Sequence, residues 1–300
     1  MISVDFTPRI QPLREKTVEG TGAAKILLLD LSGVLSEEAT LAVGQAPPRV
    51  PIVARVREEL QKAEEDDRIR ALVLKINSPG GTITASDIIY QEISAFKARR
   101  KIPVVAAMMD VAASGGYYVA LAADTIVAHP TTVTGSIGVM MLTVNAEGLL
   151  SKVGVAPLTI KSGAKKDMGS PFRGLSDEER KIFQDVIDDL HRRFVVLIAR
   201  ERRLPEEKVR ELADGRIFTA EQARALGLLD RVGYLEEALG VARSAAQVKE
   251  ARVIMYHRPR EYRATIYSTA QAPEPLETSF ARLSSFLLGP GPRFLYLWWP

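Results

Sequence analysis

The feature that most constrains the fold is a regular alternation of short apolar runs with amphipathic segments. The runs include "KILLLDLSGVL" (25–35), "ALVLKI" (71–76), "PVVAAM" (103–108) and "TIVAH" (125–129). Between them, charged segments with apolar residues at helical spacing predict helices, one of which begins at a Thr84 cap. Strands that are apolar along their whole length are typical of a parallel sheet covered by helices. The pattern therefore predicts an α/β fold around a buried, mostly parallel sheet.

The second half of the chain is mostly helical. "SDEE" (176–179) is a capping box that opens a long helix, and shorter helices are expected at 205–213, 219–226 and 234–246. "PLTIKSG" (157–163) is predicted to be a further strand. No linker interrupts residues 24–246, which we interpret as one domain that follows an N-terminal extension (1–23). Residues 247–300 add a strand, a loop and an aromatic tail.

Composition excludes several kinds of site. The 300 residues contain no cysteine, which rules out disulfides, thiolate metal ligands and a cysteine nucleophile. The net charge of +3 is too small to indicate nucleic-acid binding. The three histidines, His129, His191 and His257, lie far apart in the sequence. A hydrolytic mechanism would have few imidazoles from which to draw a base.

The two ends of the chain bear on membrane contact. The first residues are polar, so no signal peptide is expected, and no stretch reaches the ~18 apolar residues of a spanning helix. The last segment, "FLLGPGPRFLYLWWP" (286–300), contains both tryptophans of the chain. It fits an interfacial membrane anchor. It fits equally well a tail that docks on its own chain or on a neighbouring subunit.

Three glycine-rich connections follow predicted strands: "NSPGG" (77–81), "AASGG" (112–116) and "TGSIG" (134–138). In a parallel sheet, loops at the carboxyl ends of strands gather on one side, where ligands bind. Neither phosphate-binding pattern, GxxxxGK[ST] or GxGxxG, is present. Backbone N–H groups exposed by these glycines therefore favour an oxyanion hole.

Ser114 lies in the second of these loops, at the predicted start of a helix, where developing negative charge is favoured. A serine nucleophile needs a base, and His129 is better explained as an edge position at the end of a strand. The alternative is a lysine of "IKSGAKKDMGSP" (160–171), because a buried amine loses its proton and can act as a base. From the residues alone, this segment fits a solvated loop as well as a source of the base.

Five motifs in order, "INSPGG", "DVAASGGYYVALAAD", "TGSIGV", "KSGAKKDMGSPFR" and "ADGRIFTAEQARALGLLD", resemble the SppA-type signal peptide peptidases, the protease IV family. The resemblance covers roughly residues 24–245. It implies a crotonase/ClpP-like α/β fold of repeated β-β-α units with a helical C-terminal part. It also implies a serine peptidase with a Ser/Lys dyad and neither a cofactor nor a metal.

Carried over by position, the resemblance makes Ser114 the nucleophile and Lys166 the general base. Gly81 and the Ser114 backbone N–H would form the oxyanion hole, and the Ser136 hydroxyl would orient the lysine. Lys161 and Lys165 would be surface neighbours of Lys166.

Three other conspicuous residues are given structural roles. Tyr117 and Tyr118 are expected to pack in the interior, and Arg216 is expected to belong to a structural brace.

The implied function is hydrolysis of peptides, such as released signal peptides or fragments of misfolded and membrane proteins, through an acyl-enzyme. The resemblance further implies a homo-oligomer and association with a bacterial membrane. A soluble, cytoplasmic enzyme is the alternative, because this chain shows no anchor. The rival functions are a crotonase-type acyl-CoA enzyme, which would place carboxylates in the pocket, and a non-catalytic scaffold on the same fold.

Overall fold

A nine-stranded sheet forms the centre of the protein in the computed structural model, which describes residues 11–38, 50–259, 261, 263–269 and 293–298. Predictions that concern 1–10, 270–292 and 299–300 lie outside the described residues. The strands, in chain order, are β1 (Arg14–Glu19), β2 (Lys25–Ser32), β3 (Ile69–Ser78), β4 (Gly80–Thr82), β5 (Val104–Ala113), β6 (Thr125–Ala128), β7 (Val133–Gly135), β8 (Met140–Leu142), β9 (Ile217–Thr219), β10 (Arg231–Val232), β11 (Arg252–His257) and β12 (Arg293–Leu297).

The helices connect these strands and cover the sheet. They are α1 (Ile52–Glu64), α2 (Ile83–Arg100), α3 (Gly115–Ala120), α4 (Glu147–Lys152), α5 (Asp177–Arg202), α6 (Glu206–Leu212), α7 (Ala220–Ala225) and α8 (Leu235–Ala245). The main sheet has the order β1-β11-β2-β3-β5-β6-β10, and it is parallel from β11 to β10. The carboxyl ends of β3 and β5 therefore lie side by side, which brings the loops that follow them together.

The core has two layers, one on each face of the sheet. Helices α1, α2, α3 and α5 bury apolar side chains such as Ile89 and Phe194 against one face. Helix α8 covers the other face with Leu235, Ala238 and Leu239. Strand β2 is buried at every position. This is the buried, mostly parallel arrangement that its uninterrupted apolar run predicts.

The structure confirms most of the predicted elements and corrects two of them. The capping box is present, since the Ser176 side chain accepts from the Glu179 amide and Glu179 bonds back to Ser176. The cap of α2 is Thr82 and not Thr84, because its hydroxyl accepts from the Ala85 amide at 3.1 Å. The strand predicted at 157–163 is wrong. That segment pairs with no strand among the described residues and leaves its apolar side chains in solvent.

A second, three-stranded sheet has the order β4-β12-β8, and both of its pairings are antiparallel. Residues 293–297 of the aromatic tail thus dock on their own chain. At the other end, β1 pairs antiparallel with β11, so part of the predicted N-terminal extension belongs to the main sheet. Of the helices in the described ranges, none combines the length and the apolar character needed to cross a membrane.

Candidate active site

Ser114 occupies a strained turn between β5 and α3. Its backbone has φ 52° and ψ −115°, a region that residues with a Cβ rarely enter. The residue is 1% exposed, and its Oγ has no hydrogen-bond partner among the described residues. A strained serine with an unpaired, buried hydroxyl is uncommon, and such strain concentrates at functional sites.

The glycines after Ser114 are required by close packing. A Cβ on Gly115 would lie 2.4 Å from the Ser86 hydroxyl oxygen, and one on Gly116 would lie 2.6 Å from the Ser78 carbonyl oxygen. The start of α3 is therefore pressed against α2 and the end of β3. The absence of side chains at Gly115 and Gly116 allows α3 to begin directly after Ser114.

Gly81 lies beside this turn, in β4, and it also has no room for a side chain. A Cβ on Gly81 would lie 1.9 Å from the Leu35 carbonyl oxygen. The Thr82 amide donates to Leu35, and the Leu35 amide donates to the Gly80 carbonyl, each at 2.9 Å. Because successive residues of a strand direct their backbone groups to opposite sides, the Gly81 N–H faces away from Leu35 and toward β12.

The Ser114 backbone N–H, which the sequence predicts as an oxyanion donor, is hydrogen-bonded within the fold. It donates to the Gly135 carbonyl at 2.8 Å, so it is already paired. The next amide is that of Gly115, which as the first residue of α3 has no intrahelical acceptor. A Cβ on Gly80 would lie 2.7 Å from this nitrogen, so the amide lies next to β4. The Gly115 amide, one residue further along the chain, is therefore a candidate donor beside Gly81.

Ser136 lies next to Ser114 because β5 and β7 are paired. Ala113 is opposite Gly135, so the two serines follow a matched pair of residues. Ser136 is buried and has φ 48°, and its amide donates to the Arg216 carbonyl at 2.7 Å. The tertiary structure therefore brings together Gly81, Ser114 and Ser136 from three separate glycine-rich loops.

Lys166 lies outside this cluster. It is exposed, in a turn where its amide donates to the Gly163 carbonyl at 3.1 Å. Its amine makes no hydrogen bond or ion pair within the part of the chain that the structure describes. Lys161 pairs with Asp167 at 2.6 Å, and Lys165 pairs with Glu178. Of the three lysines in the loop, Lys166 is thus the one with a free amine.

The loop around Lys166 is held by a network of charges. Arg173 donates to Asp167 at 2.7 Å and also binds Glu179, which caps α5. Hydrogen bonds from Arg173 and Lys161 hold the pKa of Asp167 well below its usual range. The carboxylate that follows Lys166 in sequence is therefore occupied by other cations and does not neutralise it.

The two tyrosines expected to pack in the interior are buried. Tyr117 is fully buried and donates to the Leu228 carbonyl at 2.8 Å, and burial raises the pKa of its phenol. Tyr118 donates to Asp87 at 2.7 Å. The Arg216 side chain pairs with Asp214.

The structure does not make His129 a base for Ser114. Its Nδ1 lies 2.8 Å from the Thr131 hydroxyl, and its ring packs edge-on against Tyr234. Groups of three or more histidine, aspartate or glutamate side chains arranged to hold a metal ion are absent from the described ranges.

Comparison with known proteins identifies the family. Residues 96–249 match the model of peptidase family S49, and residues 26–134 match the Clp protease model. A signal peptide peptidase SppA of Enterococcus faecium is 38% identical over 81% of this chain and 70% of its own length. The chain belongs to peptidase family S49. It is a serine peptidase, and the predicted ClpP-like α/β fold is confirmed.

Other relatives are also named as proteases, but they are longer than this chain. The chloroplastic serine protease SPPA of Arabidopsis thaliana is 35% identical over 71% of this chain and 32% of its own length. Protease 4 of Salmonella typhi is 36% identical over 66% of this chain and also 32% of its own length. The chain thus spans about a third of these longer relatives. The family assignment supports the serine peptidase over the acyl-CoA enzyme and the scaffold.

Sequence reasoning did not anticipate where the tail lies. Strand β12 packs directly against β4, with Tyr296 opposite Gly81 and Leu297 opposite Gly80. The only sequence signal was the apolar, aromatic composition of residues 293–298, which does not specify a binding site. The partner was missed because β4 is three residues long and consists mainly of glycine.

Proposed function

We propose that Ser114 is the nucleophile and Lys166 the general base of a peptide-bond hydrolase that works through an acyl-enzyme. The observation that carries this proposal is the Ser114 turn: a buried, unpaired hydroxyl on a strained residue at the start of a helix. A hydroxyl that is not engaged in the fold is available to attack. Lys166 is the lysine of the downstream loop whose amine is free.

In the proposed mechanism, the Lys166 amine takes the Ser114 proton as Oγ attacks the substrate carbonyl. The N–H groups of Gly81 and Gly115 stabilise the oxyanion. The Lys166 ammonium then protonates the leaving amine, and the carbon–nitrogen bond breaks. Water attacks the acyl-enzyme with Lys166 again as base, which releases the carboxylate product and regenerates Ser114. Ser136, adjacent to Ser114, orients the lysine.

The base comes from a neighbouring subunit in this proposal. Ser114 is buried and unpaired, whereas Lys166 is exposed and not bonded to it. The segment that precedes Lys166 exposes large apolar side chains, with Leu158 89% and Ile160 94% exposed. Contiguous apolar surface of this kind is typical of an interface. A homo-oligomer would cover these side chains and deliver the amine to the Ser114 site of the next copy.

The proposed substrates are apolar peptides, including released signal peptides and fragments of membrane proteins. The name of one relative, signal peptide peptidase SppA, supports released signal peptides as members of this class. The glycine-rich loops around Ser114 also suit such peptides, because they offer few charged contacts. Association with a bacterial membrane is part of the proposal, and sedimentation with membranes after cell lysis tests it.

Mixing two inactive variants tests the shared site. Ser114→Ala lacks the nucleophile and Lys166→Ala lacks the base, so each alone should hydrolyse an apolar peptide at background rate. If the two groups come from different subunits, mixed oligomers contain sites with both, and activity returns. Subunit exchange is checked separately, by native mass spectrometry of a mixture in which one variant carries an isotope label.

A fluorophosphonate probe identifies the nucleophile independently of the lysine. Labelling of wild type that disappears in folded Ser114→Ala would support the assignment. Equal labelling of both proteins would refute it. If the mixed variants stay inactive although subunits exchange, the shared site is wrong and the dyad must form within one chain.

A further inference from the structure

The tail strand, as we call β12 (Arg293–Leu297), fills a slot between two strands of the candidate site. On one side it pairs antiparallel with β4, which contains Gly81, and on the other with β8, which follows the Ser136 loop. The Trp298 amide extends the ladder by donating to the Pro79 carbonyl at 2.8 Å. In the described structure, β4 and β8 do not pair with each other. Removing the tail strand would leave an opening one strand wide, lined on both sides by backbone donors and acceptors.

An extended peptide adds to such an opening by main-chain hydrogen bonds, a common mode of peptide recognition. The tail strand already lies where a substrate would have to lie. Tyr296 is opposite Gly81, whose N–H faces it. A Cβ on Gly80 would lie 2.0 Å from the Tyr296 carbonyl oxygen, and one on Gly115 would lie 3.1 Å from it. The Tyr296 carbonyl thus lies between the glycine-rich loop at 77–81 and the loop that contains Ser114.

The side chain of Tyr296 fills a pocket made by α3 and α5. Its ring stacks on Tyr118, with centroids 5.3 Å apart, and packs against Phe194 at 4.7 Å. Its hydroxyl donates to the Leu190 carbonyl at 2.9 Å, and the residue is completely buried. The two flanking leucines of the strand, Leu295 and Leu297, are also buried. The slot therefore accepts an apolar–aromatic–apolar sequence.

We propose that the tail strand is an internal competitor of the peptide substrate, and that the Tyr296 pocket is the subsite that selects a large aromatic side chain. The proposal rests on the proposed function, since it takes the slot beside Ser114 as the substrate groove. Substrates enter by displacing the tail strand. The preferred ones are extended apolar segments with a tyrosine or phenylalanine at the position that Tyr296 occupies.

The chain contains its own reporter for this displacement. Its two tryptophans are residues 298 and 299, so tryptophan emission reports on the tail alone. We would titrate full-length Ser114→Ala, which cannot turn over substrate, with a tryptophan-free peptide that contains Leu-Tyr-Leu. The expected result is a saturable shift of the emission to longer wavelength as the tail leaves. The same peptide with alanine in place of tyrosine should need at least tenfold higher concentration.

A second measurement uses turnover. Tyr296→Ala weakens the competitor, so the KM for the tyrosine peptide should fall about fivefold while kcat changes by less than about twofold. The matched control is Tyr267→Ala, which removes an exposed tyrosine whose hydroxyl donates to Glu236. The KM of this control should equal that of wild type. Should Tyr296→Ala fail to fold, the emission titration decides alone.

The outcomes separate this proposal from the proposed function. No emission change at peptide concentrations well above the wild-type KM, or an unchanged KM in folded Tyr296→Ala, would overturn the tail as competitor even if Ser114 is the nucleophile. A saturable emission shift without Ser114-dependent hydrolysis would overturn the chemistry and leave the groove assignment standing. Equal binding of the tyrosine and alanine peptides would refute the aromatic subsite.

Discussion

Gly81→Ala is the substitution that most directly tests the backbone geometry of the site. The new Cβ would lie 1.9 Å from the Leu35 carbonyl oxygen and 2.6 Å from the Leu35 nitrogen, whereas real Cβ atoms do not approach closer than 3.0 Å. Both neighbours are backbone atoms and cannot rotate away. β4 must therefore move by about 1 Å, and a misplacement of that size near the reacting atoms costs on the order of 100-fold in rate.

The same movement affects stability. It weakens the two hydrogen bonds, each 2.9 Å long, that tie Leu35 to Gly80 and Thr82. Each is worth about 1 kcal/mol, so unfolding should become easier by about 2 kcal/mol. Loss of one oxyanion donor alone costs about 10²–10³-fold in kcat. We therefore expect Gly81→Ala to lower kcat/KM by at least about 100-fold and to lower Tm.

Gly240→Ala is the matched control. Gly240 lies within α8, and a Cβ there meets nothing within 4 Å. Alanine in a helix interior is favoured over glycine by about 1 kcal/mol, so this variant should be slightly more stable and fully active. The assays are steady-state hydrolysis of an apolar peptide and thermal unfolding. Near-normal kcat/KM and Tm in Gly81→Ala would refute the argument that this backbone position is fixed by Leu35 and acts in catalysis.

Three further predictions follow from single contacts. Lys166→Ala should lower kcat/KM by on the order of 10³-fold or more, whereas Lys165→Ala, which breaks only an exposed ion pair, should stay within about twofold; equal losses in peptide hydrolysis would contradict the assignment. Tyr117→Phe removes the hydrogen bond to the Leu228 carbonyl and should lower the free energy of unfolding, measured in urea, by about 1–2 kcal/mol. An unchanged free energy of unfolding would contradict a stabilising role for this hydrogen bond. Burial raises the pKa of Glu59 from 4.5 to about 7, so its neutral form is favoured in the fold. The contribution of Glu59 to the free energy of unfolding should therefore be largest below pH 4.5 and should fall by about 3 kcal/mol as the pH rises to about 7. The difference in free energy of unfolding between wild type and Glu59→Gln should follow this pH dependence, and a difference that does not change with pH would refute it.

The candidate site shows how far local sequence signals reach. Ser114 could be singled out because its role depends on its immediate neighbours, small residues that permit a strained turn at the start of a helix. The Ser114 N–H is the donor that the sequence predicts, yet in the structure this amide is paired with the Gly135 carbonyl, which lies on a different strand. Which of two adjacent amides is free is a property of strand pairing, and no sequence pattern encodes it directly.

The segment before Lys166 shows why an apolar run can be assigned wrongly as a strand. An apolar run such as residues 157–160 predicts a strand, because burial is what such residues normally achieve. In the structure, Leu158 and Ile160 are exposed and form no sheet contact with the described residues. The hydrophobic pattern predicts that these side chains become buried, but it does not identify the surface that buries them.

By itself, the sequence determined the parallel sheet, the helices, the three glycine-rich loops and the serine that they surround. These features follow from short-range rules: apolar periodicity, capping residues and the backbone freedom of glycine. The tertiary structure decided which backbone donors remain free, which lysine amine is unpaired, and that the tail strand lies between β4 and β8 next to Ser114. Each of these depends on contacts between residues far apart in the chain, which form only when the whole sheet is assembled.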